Sequence, residues 1–511
     1  MNVVITGATD GIGLALAQHY HKAGARLLLI GRRALDTLDP AFFKPTCYCQ
    51  ADLATPQSVE QISSWLHENK ITALDLVIHN AATGYVGPVA TQPADSIRQL
   101  IAVNLGAPIA LTYALYPLVE RAAGKFVFIS SVVAGLPGPH YAVYTATKAA
   151  LDSFVRNWQI ELHADRSPVQ AQLIRPGATR TQLHAKSGAD PAAMGWARFP
   201  TPESVAQQIV HAITTKRRAV TLGLLNQLLY TTGRQFPSLL DHFSKSTLHP
   251  LTASPALPRH CVITGAADGI GRALAQQLTS RGVTVTGIDV DAAQAMQTQA
   301  DLINAGGQMR FLIADLTALD TLPKILEQLA TRLPIDSFIH NAGINAVGPF
   351  MASDIARQQK VIELNLTAPL VLTAGLLQRG LLTPHSSFAF LSSLSHFVSY
   401  PGAAVYAATK DGLAAYARSL AVALAPEGHH VLTIYPGPTR TTHARRYSPD
   451  NSREARRMPP EQLARQVVTA LQHRRRQLIP TFAHLMVAIL GQWWPALTEQ
   501  IMRRTIYDRL R

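Results

Sequence analysis

Short apolar runs alternate with longer segments of helical period along the whole chain. The runs VVIT, RLLLI, LVIH and KFVFIS are almost wholly apolar, as strands buried on both faces usually are. Between them lie segments such as IGLALAQHYHKAG and ATKAALDSFVRNWQIEL, in which apolar residues recur at helical spacing. This alternation predicts an α/β fold in which helices cover both faces of a doubly wound parallel sheet.

The same pattern occurs twice. The turn GATDGIG begins at Gly7, and its near-copy GAADGIG begins at Gly265, 258 positions later (265 − 7). A period this long exceeds that of any solenoid repeat and therefore indicates a duplicated domain. We predict two consecutive Rossmann-like domains, at residues 1–248 and 259–511, joined by a proline-rich linker at residues 249–258.

Each repeat contains a glycine-rich turn between its first strand and first helix. A turn of the form G-x-x-x-G-x-G lets the backbone approach a pyrophosphate and presents the amides of the helix N-terminus to it. Found twice in this context, the turn predicts a dinucleotide site in each domain. The residues expected to bind there are Gly7, Gly11, Ile12 and Gly13, and Gly265, Gly269, Ile270 and Gly271.

The repeats differ where the second strand ends, which in this fold lies beside the adenosine ribose. The first repeat has Gly31 followed by Arg32 and Arg33, whereas the second has Asp289. A carboxylate accepts hydrogen bonds from free ribose hydroxyls and repels a 2′-phosphate, and a planar guanidinium suits phosphate. The difference predicts NADP(H) in the first domain, on Arg32 assisted by Arg33, and NAD(H) in the second, on Asp289. Two simpler interpretations stay open: Arg32 as a solvated surface residue and Asp289 as a turn residue.

The spacing Tyr-x-x-x-Lys also occurs in both repeats, as Tyr144–Lys148 and Tyr406–Lys410. Side chains four residues apart share one face of a helix. An ammonium group beside a phenol stabilises the phenolate, so we expect the tyrosine pKa to lie below its reference near 10. Such a tyrosine exchanges a proton with a substrate hydroxyl or carbonyl.

Together these motifs resemble the short-chain dehydrogenase/reductase family over nearly all of each half. The resemblance implies that a serine before the tyrosine positions the carbonyl oxygen and that a helix asparagine organises a proton-relay water. The implied catalytic sets are Asn104, Ser131, Tyr144 and Lys148, and Asn365, Ser393, Tyr406 and Lys410. Further implied cofactor contacts are Asp52 and Asp315 to the adenine, Asn80 and Asn341 in the N-A-G turn, and Thr181 and Thr441 to the nicotinamide carboxamide. The first half departs from the family in having Ala82 in place of the glycine of that turn.

Two complete sets favour two working sites that interconvert secondary alcohols and ketones. A further hypothesis couples the sites, with oxidation by NAD in the second half and re-reduction by NADPH in the first, which inverts a secondary hydroxyl if the two halves offer opposite hydride geometry. The alternatives are two independent oxidoreductase activities on separate substrates, and a cofactor-sensing protein with one or both halves inactive. The helices around the asparagine and the tyrosine–lysine pair form dimer contacts in the family, so the resemblance implies an internal pseudo-dimer.

The substrate and location are less closely specified. The segment that closes over the substrate in the family carries five arginines in the second half, which indicates either an anionic substrate such as an acyl thioester or a solvated helix face. These arginines are Arg445, Arg446, Arg453, Arg456 and Arg457. The apolar tails at 222–240 and 482–497 are flanked by arginines and predict an apolar substrate pocket, peripheral membrane contact or ordinary core packing.

Composition narrows the classes of protein to which this chain could belong. Three cysteines in 511 residues cannot form a disulfide framework and lack the spacing of a metal site. The net charge of +14 is not accompanied by any nucleic-acid-binding motif, so we expect no nucleic-acid partner. A strand begins almost at the first residue and no apolar run of about 20 residues is evident. These features predict a cytoplasmic protein, with membrane association as the alternative.

Overall fold

The computed structural model describes residues 1–190, 195–236, 257–332, 334–448, 450–452 and 454–510. Most of the predicted linker, residues 249–256, lies outside the described residues. The boundaries expected at 248 and 259 therefore stay a prediction.

The first half forms a seven-stranded, fully parallel sheet in the order β3-β2-β1-β4-β5-β6-β7. Its strands are β1 (Asn2–Thr6), β2 (Arg26–Gly31), β3 (Tyr48–Gln50), β4 (Leu76–His79), β5 (Lys125–Ile129), β6 (Gln170–Arg175) and β7 (Ala219–Thr221). Its helices are α1 (Gly11–Lys22), α2 (Ser58–Glu68), α3 (Ala94–Ile101), α4 (Ala107–Arg121), α5 (Ala142–Ala164), α6 (Gln182–Lys186), α7 (Pro202–Thr214) and α8 (Leu224–Gln235).

The second half repeats this sheet in the order β10-β9-β8-β11-β12-β13-β14. Its strands are β8 (His260–Thr264), β9 (Thr284–Asp289), β10 (Met309–Ile313), β11 (Ile335–His340), β12 (Leu382–Leu391), β13 (His430–Ile434) and β14 (Gln477–Leu478). Its helices are α9 (Gly269–Thr279), α10 (Ala292–Asn304), α11 (Leu322–Ala330), α12 (Ile355–Ile362), α13 (Ala368–Gln378), α14 (Ala404–Ala423), α15 (Thr442–Tyr447), α16 (Pro460–Gln472), α17 (Phe482–Trp493) and α18 (Pro495–Thr505).

The central strands form because their apolar runs are covered on both faces. Val3, Val4 and Ile5 of β1 are fully buried, and α1 and α7 pack against one face of that sheet. Strand order reverses between β1 and β4, and again between β8 and β11, which opens a crevice at the carboxyl ends of the strands. The predicted fold, two Rossmann-like doubly wound parallel sheets in tandem, is confirmed.

Two helical stretches, Ala94–Arg121 and Ile355–Gln378, have the length and mean hydropathy of a membrane span. Their most apolar windows are 67% and 72% buried inside the fold. That degree of burial is typical of core helices. Each stretch is interrupted by a π-helical turn, Ala102–Gly106 in the first and Glu363–Thr367 in the second.

Candidate active sites

The glycine turns lie at the crevice, directly after β1 and β8. A side chain at Gly13 would overlap the carbonyl oxygen of Gly7, so only glycine allows this close backbone packing. The Asn80 amide ties the turn to the sheet by donating to the carbonyls of Thr6 and Gly7 at 3.0 and 3.2 Å. The Thr6 hydroxyl accepts from the backbone N–H groups of Asn80 and Ala81, both at 3.0 Å. The asparagine therefore shapes the anion-binding turn through its backbone.

The second half builds the same turn. Asn341 Nδ2 donates to the carbonyls of Thr264 and Gly265, both at 2.9 Å, and the Thr264 hydroxyl accepts from two backbone N–H groups at 3.0 Å. Sequence reasoning missed Thr6 and Thr264, although a threonine preceding the first glycine in both repeats was an available signal. Each threonine joins the first strand of its sheet to the fourth.

The serine, tyrosine and lysine predicted to be catalytic in the first half come together at the start of α5. Ser131, just beyond β5, hydrogen-bonds the Tyr144 hydroxyl, and Lys148 Nζ lies 5.7 Å from the centre of the tyrosine ring. Lys148 Nζ donates to the Ile129 carbonyl at 3.0 Å, which holds the ammonium at the end of β5. The helical spacing and the strand end together fix the three side chains.

Burial dominates the protonation of this set. It raises the pKa of Tyr144 to about 12, and the hydrogen bond from Ser131 only partly offsets it. The expectation that the lysine would lower the tyrosine pKa is therefore wrong for this structure. Burial also lowers the pKa of Lys148 to about 8, against the nearby carboxylate of Asp152, which raises it. At neutral pH the phenol keeps its proton and the lysine is mainly an ammonium.

The second set repeats this geometry on α14. Lys410 Nζ lies 5.7 Å from the centre of the Tyr406 ring and donates to the Leu391 carbonyl at 2.8 Å. Burial raises the pKa of Tyr406, as does the nearby Tyr400, while a hydrogen bond from Ser393 lowers it. Burial lowers the pKa of Lys410 to about 8. Both halves thus hold a protonated phenol beside a lysine with a lowered pKa.

The two predicted helix asparagines lie in the π-helical turns. Asn104 Oδ1 accepts from the Thr83 backbone N–H, and its Nδ2 donates to the Thr83 carbonyl, both at 2.9 Å. Nδ2 also donates to the Thr147 hydroxyl at 3.1 Å. Asn365 makes the matching contacts with Ile344 and Thr409. A π-helical turn is a frequent feature of functional sites, and here it directs the amide toward the helix of the tyrosine.

A cleft of about 250 Å³ in the second half collects most of the predicted residues of that half. Its lining includes the predicted residues Gly265, Gly269, Ile270, Asp289, Asn341, Tyr406, Lys410 and Thr441. It also includes Asp268 and His443, which the sequence analysis did not single out. Burial, helped by the nearby charges of Lys410 and Arg446 and opposed by Asp268, lowers the pKa of His443 to about 4, so this imidazole is neutral at pH 7. Its place two residues after the predicted Thr441 was the available signal.

Comparisons with known proteins agree with this geometry. The family model "short chain dehydrogenase" matches residues 1–192 and again residues 259–452, together more than half of the chain. The chain belongs to the short-chain dehydrogenase/reductase family. It is 32% identical over 240 residues to dehydrogenase/reductase SDR family member 7B of Bos taurus, covering 43% of this chain and 73% of that relative.

Two solved structures are also similar. A short-chain dehydrogenase of Sphingobium yanoikuyae, in complex with NADPH, is 25% identical with a TM-score of 0.41, covering 49% of this chain and 96% of that one. An N-terminal ketoreductase from the macrolactin assembly line is 12% identical with a TM-score of 0.58, covering 93% and 86% of the two chains. The second likeness supports the fold alone. As a tandem short-chain dehydrogenase/reductase, the chain is an oxidoreductase of that family.

Within this family framework the ends of β2 and β9 differ as the sequence indicates. Asp289 lines the cleft, and its carboxylate accepts from the backbone N–H groups of Ala267 and Val290, both at 2.9 Å. At Gly31 an added Cβ would lie 2.8 Å from a methyl carbon of Thr9 and 3.0 Å from the Tyr48 hydroxyl. The tyrosine therefore fills space that a side chain at position 31 would need.

The two arginines after Gly31 are both exposed. Arg33 Nη2 donates to the Thr37 carbonyl at 2.9 Å, so that guanidinium is partly engaged. Asp52 and Asp315 are exposed and close local turns, accepting from the backbone N–H groups of Ala54 at 3.0 Å and Thr317 at 2.8 Å. The dehydrogenase fold thus leaves these four side chains at the rim of the crevice.

The segments that follow β6 and β13 begin with the predicted threonines. Thr181 and Thr441 lie over the second glycine of each turn, within 3.0 and 3.2 Å of where a Cβ on Gly11 or Gly269 would be. Beyond Thr181, Lys186 forms an ion pair with Asp10 of the glycine turn at 2.7 Å. This contact joins the segment to the anion-binding turn in the first half.

The arginines of the second-half segment have mixed surroundings. Arg457 Nη2 donates to Ser448 and Asn451, and Arg445 forms an ion pair with Glu454 at 3.2 Å. Arg446 is exposed, and Arg453 lies outside the described residues. Two of the five arginines thus stabilise the segment itself.

Proposed function

We propose that this chain carries two nicotinamide-dependent oxidoreductase sites, one in each half, that interconvert secondary alcohols and ketones. The observation that carries the proposal is the duplicated set of asparagine, serine, tyrosine and lysine in one geometry. A half that had become purely structural would have no physical reason to keep its asparagine and lysine side chains buried, because unneeded buried polar groups cost stability.

The nicotinamide cofactor, when bound, supplies or accepts the hydride. The protein's part in ketone reduction is to donate the phenol proton of Tyr144 or Tyr406 to the carbonyl oxygen, and oxidation reverses this transfer. Ser131 and Ser393 orient that oxygen by hydrogen bonding. Lys148 and Lys410 stabilise the phenolate that forms. The glycine turn of each half, with Asn80 and Thr181 in the first half and Asn341 and Thr441 in the second, forms a cradle whose close backbone packing fits a pyrophosphate.

We further propose that the first half uses NADP(H) and the second NAD(H). Asp289 lines the cleft with a carboxylate suited to ribose hydroxyls, although its bonds to the turn backbone also fit the simpler role of closing the turn. Arg32 is exposed at the matching position, where a 2′-phosphate would offer a bidentate partner. Arg33 assists from the next position.

The two sites together would permit inversion of a secondary hydroxyl. In the second half, Tyr406 would first release its phenol proton to solvent and would then, as the phenolate, take the proton of the alcohol, which becomes the ketone as bound NAD accepts the hydride. In the first half Tyr144 would donate a proton to the oxygen of that ketone, whose opposite face would be presented to the hydride that bound NADPH supplies. The alternatives are two independent activities on separate substrates and a cofactor-sensing role for one or both halves. An apolar or anionic substrate, an internal pseudo-dimer and a cytoplasmic location belong to the same proposal.

Calorimetric titration of the full chain with NADPH and NAD, first separately and then in succession, tests the cofactor assignment. We expect each to saturate one site per chain without displacing the other. Arg32→Ser should weaken only NADPH and Asp289→Ser only NAD, each by about 10- to 100-fold, because each removes one charge-assisted contact. The variants serve as matched controls for each other. Competition of the two cofactors for the same sites would contradict the assignment.

A further inference from the structure

Among the described residues of the first half, the last helix is α8, and it presents its apolar side to solvent, where an ordinary surface helix presents its polar side. Leu224, Leu225 and Leu228 on its outer face are 87%, 69% and 63% exposed. Positions i, i+1 and i+4 share one side of a helix, so these leucines form a continuous apolar stripe. An amphipathic helix of a soluble protein normally turns such a stripe toward the core.

The face of α8 that does pack against the protein is polar or small. Asn226 lies so close to Gly177 that a Cβ on that glycine would overlap the asparagine side chain, and the Tyr230 hydroxyl donates to Asp152 at 3.1 Å. Gly233 lies so close to Gly135 that a Cβ would overlap the Gly135 carbonyl oxygen. Because these contacts fix the rotation of the helix, its leucines cannot turn inward without breaking them.

Helix α17 repeats the arrangement at the matching positions of the second half. His484, Ala488 and Gly491 form its inner face, and Gly491 packs against the Phe397 carbonyl. Phe482 and Met486 lie on the outer face and are 76% and 40% exposed. Trp494, at the C-terminal end of the helix, is 58% exposed. Both halves thus have a helix whose apolar side faces solvent, although most residues that hold the two helices differ. This recurrence indicates that the outer faces have a function.

The charge of the sequence windows that contain the two helices points to the partner. Residues 216–236 contain Lys216, Arg217, Arg218 and Arg234 but no aspartate or glutamate, and residues 474–494 contain three arginines and again no acid. The whole chain carries +14. Exposed leucine, phenylalanine and tryptophan on a cationic background are the features of helices that lie in the interface of an anionic bilayer. Each helix has 12 residues, well short of the about 20 that a span requires.

We propose that the outer face of α8 and the outer face of α17 are each a docking site for the surface of an anionic lipid bilayer. The apolar side chains enter the boundary between headgroups and acyl chains, and the surrounding cations face the anionic headgroups. The proposal is independent of which cofactor each half uses, because it involves none of the catalytic or cofactor-binding residues.

Flotation of the full chain with vesicles tests the proposal. The probes are vesicles of phosphatidylcholine alone and of an equimolar mixture of phosphatidylcholine and phosphatidylserine. We expect binding to the mixed vesicles that weakens as salt is raised. The combined variant Leu224→Ser, Leu228→Ser, Phe482→Ser and Met486→Ser should bind roughly 100-fold less or weaker still, since it removes four inserted side chains. The matched control, Met296→Ser with Ile303→Ser, changes exposed apolar residues of α10 and should bind like the native chain.

Circular dichroism and thermal unfolding show whether the variants keep their fold. The proposal would be overturned if the native chain did not float with mixed vesicles. It would also be overturned if the combined variant bound those vesicles as strongly as the native chain does. Equal binding to both vesicle types would overturn it too, because the charge argument would then be wrong. Light scattering tests whether a second copy of the chain binds these apolar faces instead of a bilayer. Self-association that the four substitutions abolish would assign the faces to a protein–protein contact.

Discussion

A buried ion pair lies beside the catalytic helix of the first half. Arg175 Nε donates to Asp152 Oδ2 at 2.5 Å, with both side chains no more than a tenth exposed. Tyr230 of α8 stacks on the guanidinium at 4.2 Å. In the second half Tyr435 replaces the arginine, and His396 Nδ1 lies 2.9 Å from Asp411 Oδ1 instead.

This difference between the two halves shows which parts of the site are held by side-chain partners and which are held by the backbone. The lysines and the helix asparagines are bound mainly to backbone carbonyls and N–H groups, which every sequence supplies. Their geometry therefore survives while the surrounding polar partners change. The two halves resemble each other in the groups proposed to react and differ in what supports them.

The largest effect should come from removing one proton donor at a time. Tyr144→Phe should lower NADPH-dependent ketone reduction by about 10²–10⁴-fold and leave the activity of the second half intact. Tyr406→Phe should do the reverse with NADH. Cofactor oxidation against a panel of ketones measures both, and each variant is the control for the other. Loss of both activities in either variant would mean that the halves do not turn over separately.

The ion pair offers the next largest contrast. Asp152→Ala should lower the free energy of unfolding by about 3 kcal/mol or more, because it leaves the Arg175 charge buried without its partner. Asp411→Ala should cost about 1 kcal/mol or less, since the His396 side chain is 35% exposed and stays hydrated. Urea unfolding of the two variants makes the comparison. Equal losses would show that the pairs are energetically equivalent.

Acid should affect both halves alike. His79 and His340 are fully buried between phenylalanine rings, and burial lowers the pKa of each from 6.5 to about 3. Because the unfolded chain binds protons on these residues below pH 6.5 and the folded chain does not, stability falls between pH 6.5 and 3. At pH 5 the loss is about 2 kcal/mol per histidine.

Urea midpoints at pH 7 and pH 5 measure this loss. His79→Gln and His340→Gln should each remove part of the pH dependence without abolishing it. A variant whose midpoint falls as steeply as that of the native chain would show that its histidine is not the group responsible.

The smallest expected effect on activity comes from exchanging alanine and glycine at the matching turn positions Ala82 and Gly343. A Cβ at Gly343 would lie 3.1 Å from Asn365 Oδ1 and 3.3 Å from Lys410 Nζ, so both polar groups would have to shift by a few tenths of an ångström. Gly343→Ala should slow the second half roughly tenfold, or about 1 kcal/mol. Ala82→Gly should leave the rate of the first half nearly unchanged, because that half already accommodates a methyl group. An unaffected Gly343→Ala variant would show that the contact is not limiting.

Much of the site follows from spacing along the chain. Tyr144 and Lys148 share a helical face, and Gly7 and Gly13 belong to one turn, so their proximity is a local property. The apolar runs and the 258-residue repeat fixed the fold class and its duplication for the same reason: period and alternation are visible without a structure.

Other properties depend on packing between distant segments and were decided only by the tertiary structure. The pKa of Tyr144 rises because the phenol is enclosed, which no spacing to its lysine reveals. His443 enters the cleft because α15 folds back over the glycine turn. From its period alone, the leucine stripe of α8 would be expected to face the core. It faces outward because Tyr230 and Gly233, on the other side of the helix, pack against the domain. The sequence by itself determined the elements and indicated the groups that we propose to react, because those follow from local periodicity and spacing. Burial, electrostatics and the orientation of surface helices were decided by tertiary contacts, because they depend on what lies opposite each side chain.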